Sequence, residues 1–115
     1  MKRETLNTMN RDTNRTGDEL LALFEALSNP HRLRIISILT LGRQYVSQLA
    51  REAGMSRALL YMHIQKLEKA GIIKSEMELS DDGKAMKYYE LVPFYFQITP
   101  ELIKEASKTL TVKRK

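Results

Sequence analysis

Polar residues, rich in Thr, Asn and Arg, fill positions 1–16 without an apolar period, which predicts a flexible N-terminal arm. Thr16 with Glu19 three residues on forms a capping-box signature, and Leu20, Leu21, Leu23, Phe24, Ala26 and Leu27 then crowd a helix of about eleven residues. Those apolar positions cover more than one face. So short a helix with so much apolar surface predicts one face on its own core and another on a partner subunit, the alternative being a helix buried wholly within the monomer.

Ser28-Asn29-Pro30 marks a second helix start, with Asn29 capping and Pro30 at the first helical position. Leu33, Ile36 and Leu39 recur there at helical spacing, Ile35 and Ile38 widen the predicted buried face, and Gly42 closes it. Gln44-Tyr45-Val46 reads as a short extended piece. Ser47 is the predicted cap of a third helix, Gln48 to Ala53, and Gly54 ends it.

Ser56 caps a fourth helix, in which Leu60, Ile64 and Leu67 form an inward stripe flanked by Leu59 and His63. Arg57, Ala58, Tyr61, Met62 and Gln65 fall on the other side. Two short helices joined by Ala53-Gly54-Met55 make a helix-turn-helix, since the glycine turn lets the second helix project from the body. Residues 73–79 and 85–92 suit extended structure and flank Ser80-Asp81-Asp82-Gly83-Lys84, the turn of a β-hairpin. Phe94 to Ile98 is read as extended too. Thr99-Pro100-Glu101 opens a last helix, Pro100 to Leu110, striped by Leu102, Ile103, Ala106 and Leu110, and the chain end from Val112 is expected to fray.

The fold class is therefore mainly α with a small β-hairpin, an α+β winged helix-turn-helix with an extra C-terminal dimerisation helix. Residues 17–92 form the predicted winged helix-turn-helix part and 93–115 the extended segment and last helix. At 115 residues the chain suffices for one core.

Composition removes several chemistries. With no cysteine there is no disulfide framework, thiolate metal site or cysteine nucleophile. Apolar runs are far shorter than the roughly 20 residues that cross a bilayer, and Met1-Lys2-Arg3-Glu4-Thr5 leads into polar residues, so a cytoplasmic, nucleoid-associated protein without membrane contact is expected. Nineteen Lys and Arg against fourteen Asp and Glu give a net charge of +5, which suits a polyanionic partner. Residues 18–29 carry only acids (Asp18, Glu19, Glu25), whereas 30–55 carry Arg32, Arg34, Arg43 and Arg51 against Glu52 alone.

Three blocks of residues 23–73 carry a family resemblance: Leu27-Ser28-Asn29-Pro30-His31-Arg32-Leu33-Arg34-Ile35, Val46-Ser47-Gln48-Leu49-Ala50, and Ser56 through His63-Ile64-Gln65-Lys66-Leu67 to Ile73. They resemble the arsenical-repressor-like (ArsR) transcription regulators, with looser similarity to about residue 92 through Lys87-Tyr88-Tyr89-Glu90-Leu91. The resemblance implies a homodimer that places one recognition helix per subunit, here 56–70, in successive major grooves of double-stranded DNA. It departs from the metal-sensing members. Where those commonly carry a cysteine pair, this chain has Ser47-Gln48-Leu49-Ala50-Arg51-Glu52, and its last helix lacks histidine, so neither a metal nor another cofactor is expected and the effector stays unknown.

Among the candidate DNA contacts, Arg57 suits guanine O6 and N7 and Gln65 suits adenine N6 and N7. Tyr61 reaches a base or a phosphate, Ala58 permits close approach, and exposed Met62 needs a partner surface. Gln48 and Lys66 complete the two helices' share. His63 is read as a packed or phosphate-bonding side chain and not a metal ligand, and His31 as exposed. Ser47 and Ser56 are caps whose helix ends also offer N–H groups to phosphate. In the wing, Lys84 and Lys87 stand among Glu76, Glu78, Asp81 and Asp82, which phosphates repel unless the acids face away. The candidate dimer contacts are Leu20, Leu21, Phe24, Leu102, Ile103, Ala106 and Leu110.

No glycine-rich phosphate loop or catalytic pairing of His with Asp or Glu occurs, so an enzyme is not expected. Two other readings remain, a winged helix used for protein interaction and a nonspecific nucleoid-type DNA binder. Salt separates the first from DNA binding, and competition with bulk DNA separates the second.

Overall fold

The computed structural model describes residues 15–112, so most of the expected arm and the last three residues lie outside the described part. Helices α1 (Gly17–Leu27), α2 (Pro30–Leu39), α3 (Val46–Ala53), α4 (Arg57–Lys69) and α5 (Pro100–Ser107) accompany strands β1 (Gln44–Tyr45), β2 (Ile73–Leu79) and β3 (Ala85–Leu91). They group into two compact units, one of residues 25–92 and one of the described residues up to Phe24 with those from Pro93. Helix α1 crosses the boundary.

In the larger unit, Asn29 Oδ1 accepts from the backbone N–H groups of His31 (2.8 Å) and Arg32 (3.3 Å), which starts α2 as the Asn-Pro pair predicts. Its buried stripe is Arg32, Ile35 and Leu39. The Leu33, Ile36, Leu39 phase is thereby corrected, because Leu33 is 52% exposed. A second correction concerns α3, which starts at Val46 with Tyr45 as its cap residue, so Ser47 is already inside the first turn. The Tyr45 N–H finds its acceptor in Gln48 Oε1, 3.3 Å away, and the buried Val46 explains why the helix begins two residues early. Gly54, at φ +68°, turns the chain out of α3. Ser56 Oγ then accepts the Leu59 N–H at 3.1 Å and starts α4.

Strands β2 and β3 pair in the register Ile73↔Leu91 to Leu79↔Ala85, and Gly83 at φ +83° makes the turn. β1 joins the far edge of β3 through Gln44↔Tyr89 and Tyr45↔Tyr88. The hairpin is thus part of a three-stranded antiparallel sheet of order β1-β3-β2. The core of this unit is Ile35, Leu49, Leu60, Ile64, Leu67, Ile72 and Tyr89, each essentially inaccessible.

In the smaller unit, Thr16 Oγ1 accepts the Glu19 N–H at 3.2 Å while Glu19 Oε1 accepts the Thr16 N–H at 2.8 Å, the predicted capping box. Gly17 is buried, and a Cβ placed there would strike the Ala106 carbonyl oxygen and sit 2.7 Å from Leu110 Cδ2. Its N–H donates to Thr109 Oγ1 at 2.7 Å, and the Asp18 carboxylate accepts from Thr111 N (3.1 Å) and Oγ1 (2.7 Å), which holds that carboxyl below the usual aspartate range. Thr99 caps α5 through the Leu102 N–H at 3.1 Å. α5 ends at Ser107, short of the predicted Leu110, because the N–H groups of Lys108, Thr109 and Leu110 bond three residues back in a tighter turn. Phe94 to Ile98, expected to be extended, joins no strand ladder, and Phe94 and Phe96 stack on each other at 5.4 Å. No helix among the described residues is long and apolar enough to cross a membrane.

Candidate nucleic-acid interface

Helix α4 divides into two faces. Leu60, His63, Ile64 and Leu67 are buried, and Arg57, Ala58, Tyr61, Met62, Gln65 and Lys66 are exposed together on the other side, with Ser56 at the start. Tyr61 and Met62 are 40% and 63% accessible, a large apolar exposure for a helix whose inward stripe is already filled. On α3, Ser47 and Gln48 are exposed as well.

His63 differs from the other candidates. It is 8% exposed, its Nδ1 lies 3.1 Å from Arg32 Nη1, and it takes no place on the exposed face of α4. Arg32 is equally buried, at 7%. Its guanidinium donates to the carbonyl oxygens of Ala26 (Nε, 2.7 Å) and Glu25 (Nη2, 2.9 Å), in the last turn of α1, where helix geometry leaves carbonyls without partners. α1 has no basic residue of its own there. Since arginine only donates, His63 Nδ1 must accept, and the neutral ring carries its proton on Nε2. Burial, then Arg32, His31 and Lys66, hold the His63 pKa below its ordinary value. The exposed His31 ring stands 5.5 Å from that of His63, and among the described residues no three histidines or carboxylates gather where a metal could sit.

The wing sorts its charges by strand alternation. Met77 and Lys87 oppose each other on the face that carries buried Ile73 and Tyr89. Tyr89 is packed deeply enough that burial, chiefly, lifts its hydroxyl pKa to about 12. Glu76, Glu78 and Glu90 occupy the opposite face with Lys74 and Tyr88. The acids of the strands therefore point away from the side on which Lys87 is exposed. Lys84 is exposed beside the turn, where Asp82 bonds Ser80 Oγ.

Of the candidate dimer residues, Leu21, Ile103 and Leu110 are exposed, while Phe24 and Leu102 are half-buried. Leu20 and Ala106 are turned inside the chain at 6% and 5% accessibility, Ala106 beneath Gly17. The pattern of α1 alone cannot reveal this, since a residue's outward or inward phase depends on what packs against it. Arg32, Arg43 and Tyr45 are absent from the sequence-derived site. Only the 3-4 spacing of Arg32, Ile35 and Leu39 hints at the first.

A helix-turn-helix domain model matches residues 27–76. An uncharacterized HTH-type transcriptional regulator of Methanocaldococcus jannaschii is 36% identical over 87 residues, which span 76% of this chain and 90% of the relative. Among solved structures, the homodimeric winged helix-turn-helix DNA-binding domain of a possible ArsR-family transcriptional regulator from Mycobacterium bovis superposes with a TM-score of 0.57 at 26% identity, over 64% of each chain. The transcriptional repressor BigR from Xylella fastidiosa shares the fold at 19% identity, with a TM-score of 0.55 over 94% of this chain and 92% of that one. An exposed α4, a glycine-turned α3-α4 pair and a three-stranded wing complete the correspondence. The chain belongs to the helix-turn-helix transcriptional regulators, as an ArsR-like winged helix-turn-helix DNA-binding protein without the cysteine metal site, and it is not an enzyme.

Proposed function

We propose that the chain binds double-stranded DNA with sequence preference as a two-fold dimer in the cytoplasm, at the nucleoid, with α4 in the major groove and the wing at the backbone. The carrying observation is the exposed face of α4, where Arg57, Tyr61, Met62 and Gln65 stand together over a completed buried stripe. Arg57 and Gln65 supply base-edge hydrogen bonds, Ala58 and Met62 apolar contact, and Ser47, Gln48, Ser56, Lys66, Lys84 and Lys87 the surrounding phosphate contacts. Residues 17–92 serve as the DNA-binding part and 93–115 as the dimerisation segment. Leu21, Phe24, Leu102, Ile103 and Leu110 provide the subunit contact, by analogy with the homodimeric mycobacterial domain.

Fragments bound from genomic DNA supply the preferred site for titration against salt. Replacing Arg57 by Ala is expected to cost about 1–3 kcal/mol on that site and far less on random duplex. Equal losses on both would reassign Arg57 to phosphate positioning. Binding indifferent to salt would point to a protein-interaction module instead. Ile103→Glu, at an exposed position, should yield folded monomers by sedimentation with weakened DNA binding. An unchanged dimer would remove α5 from the interface.

A further inference from the structure

A wing that carries three glutamates on one face is a poor neighbour for phosphates, yet each of those carboxylates already has a donor. Glu78 is held from two sides, Oε2 by Arg43 Nη2 at 2.9 Å and Oε1 by the Tyr45 hydroxyl at 2.7 Å. Arg43 also lies over the Tyr88 ring, 4.1 Å from its centroid, and Tyr45 meets the same ring edge-on at 6.0 Å. The Tyr88 hydroxyl donates to Glu76 Oε2 at 3.2 Å, and Lys74 Nζ lies 3.5 Å from Glu90 and 3.7 Å from Glu76. Arg43 comes from the loop after α2 and Tyr45 from β1, so this cluster fastens β2 to a part of the chain more than thirty residues earlier. The two-residue ladder of β1 is short for that task. The Glu78 carboxyl lies below its ordinary pKa because the two hydrogen bonds favour the ionised form, so its charge is present, oriented and offset under all conditions near neutrality.

We propose that Arg43 is a positioning residue for DNA binding, which acts through Glu78: with Tyr45 it offsets and holds in place the carboxylate whose charge would oppose the wing's approach to the phosphate backbone. This rests on the reading of the chain as a duplex-DNA binder. Arg43 makes no DNA contact in this scheme. It lets Lys87, on the other face of the same sheet, be met by phosphate.

The test is a double-substitution cycle on the full chain, with affinity for the selected duplex measured at several salt concentrations. Arg43→Met should weaken binding about three- to tenfold, above the usual worth of an exposed ion pair because a carboxylate without its cation is left in the wing beside the phosphates. Glu78→Gln alone should bind as well as the unaltered chain or better, and Arg43→Met combined with Glu78→Gln should match Glu78→Gln alone. Tyr45→Phe, which changes no charge, should weaken binding in the same direction only while Glu78 is present. If Arg43→Met costs as much in the Glu78→Gln background as in the unaltered chain, Arg43 acts by itself and the proposal is overturned. An Arg43→Met chain that binds normally overturns it as well. Failure of the unaltered chain to bind any duplex sinks the DNA reading itself and this inference with it, an outcome distinct from binding without coupling.

Discussion

Helices α2 and α4 carry equally clear apolar patterns, yet the pattern gives the buried face of one and misplaces that of the other. In α4 every inward position except His63 is aliphatic, so Leu60, Ile64 and Leu67 set the phase by themselves. In α2 the buried stripe includes a charged residue. Arg32 takes an inward place because its guanidinium finds two helix-end carbonyls and an imidazole acceptor, and the helix turns so that Leu33 faces out. Periodicity locates a face by its apolar members, and a charge with enough partners overrides it.

The largest expected effect lies where the two helices agree with ordinary packing. Leu60 is wholly buried, and Leu60→Ala should cost about 2–5 kcal/mol by chemical denaturation. A loss below about 1 kcal/mol would mean that the α4 stripe is not core. Next comes Arg32→Met, which keeps much of the length of the side chain and removes its donors. Leaving the Glu25 and Ala26 carbonyls and His63 Nδ1 without their donor should cost about 2–3 kcal/mol, although the substitution raises hydrophobicity at a buried site. A neutral or stabilising result would erase the contrast between the helices.

What the sequence makes legible follows from range. The caps Thr16 with Glu19, Asn29 with Pro30, Ser56 and Thr99 are contacts within three residues, and all four appear as read. Ser47 fails because the choice between it and Tyr45 as helix start depends on burying Val46, which is a tertiary matter. The exposed face of α4 is visible because its apolar stripe defines what remains outside. The Arg32–His63 and Arg43–Glu78 contacts span 31 and 35 residues and leave no local trace. Alternation is local to each strand, but that the acids of β2 lie across the sheet from Lys87 follows only from the β2–β3 register, and the residues that hold Glu78 come from elsewhere. Gly17 shows the same limit, since its need for a missing side chain arises from Ala106 and Leu110.

Acid sharpens the comparison further. The His63 pKa is held below 6.5 in the folded chain, so the unfolded chain binds the proton first and stability falls as pH drops below about 6.5 towards the folded value; above 6.5 the contribution is fully present. The charges around it are Arg32, His31 and Lys66, all of the sign that opposes protonation. Thermal unfolding followed from neutral pH down through the ordinary histidine range should show a decline that His63→Gln, which keeps an acceptor for Arg32, largely abolishes. Identical pH profiles for the two chains would show that the ring is not the acid-sensitive element of α4. The paired carboxylates Asp18, Glu19, Glu78 and Asp82 have lowered values and respond only at lower pH, so the two windows are separable.

The smallest expected effect is the most discriminating for α2. Leu33 belongs to the apolar repeat that the sequence offers as core, but half of its surface is exposed. Truncation there removes little buried area, and alanine is the better helix former, so Leu33→Ala should change stability by no more than about 0.5 kcal/mol in either direction. Ile35→Ala, two positions on and wholly buried, serves as the internal standard at about 2–5 kcal/mol. The ratio between them reports the rotation of α2 independently of DNA or dimerisation. Comparable losses at both positions would return the buried stripe to the Leu33, Ile36, Leu39 phase and leave Arg32 no room inside.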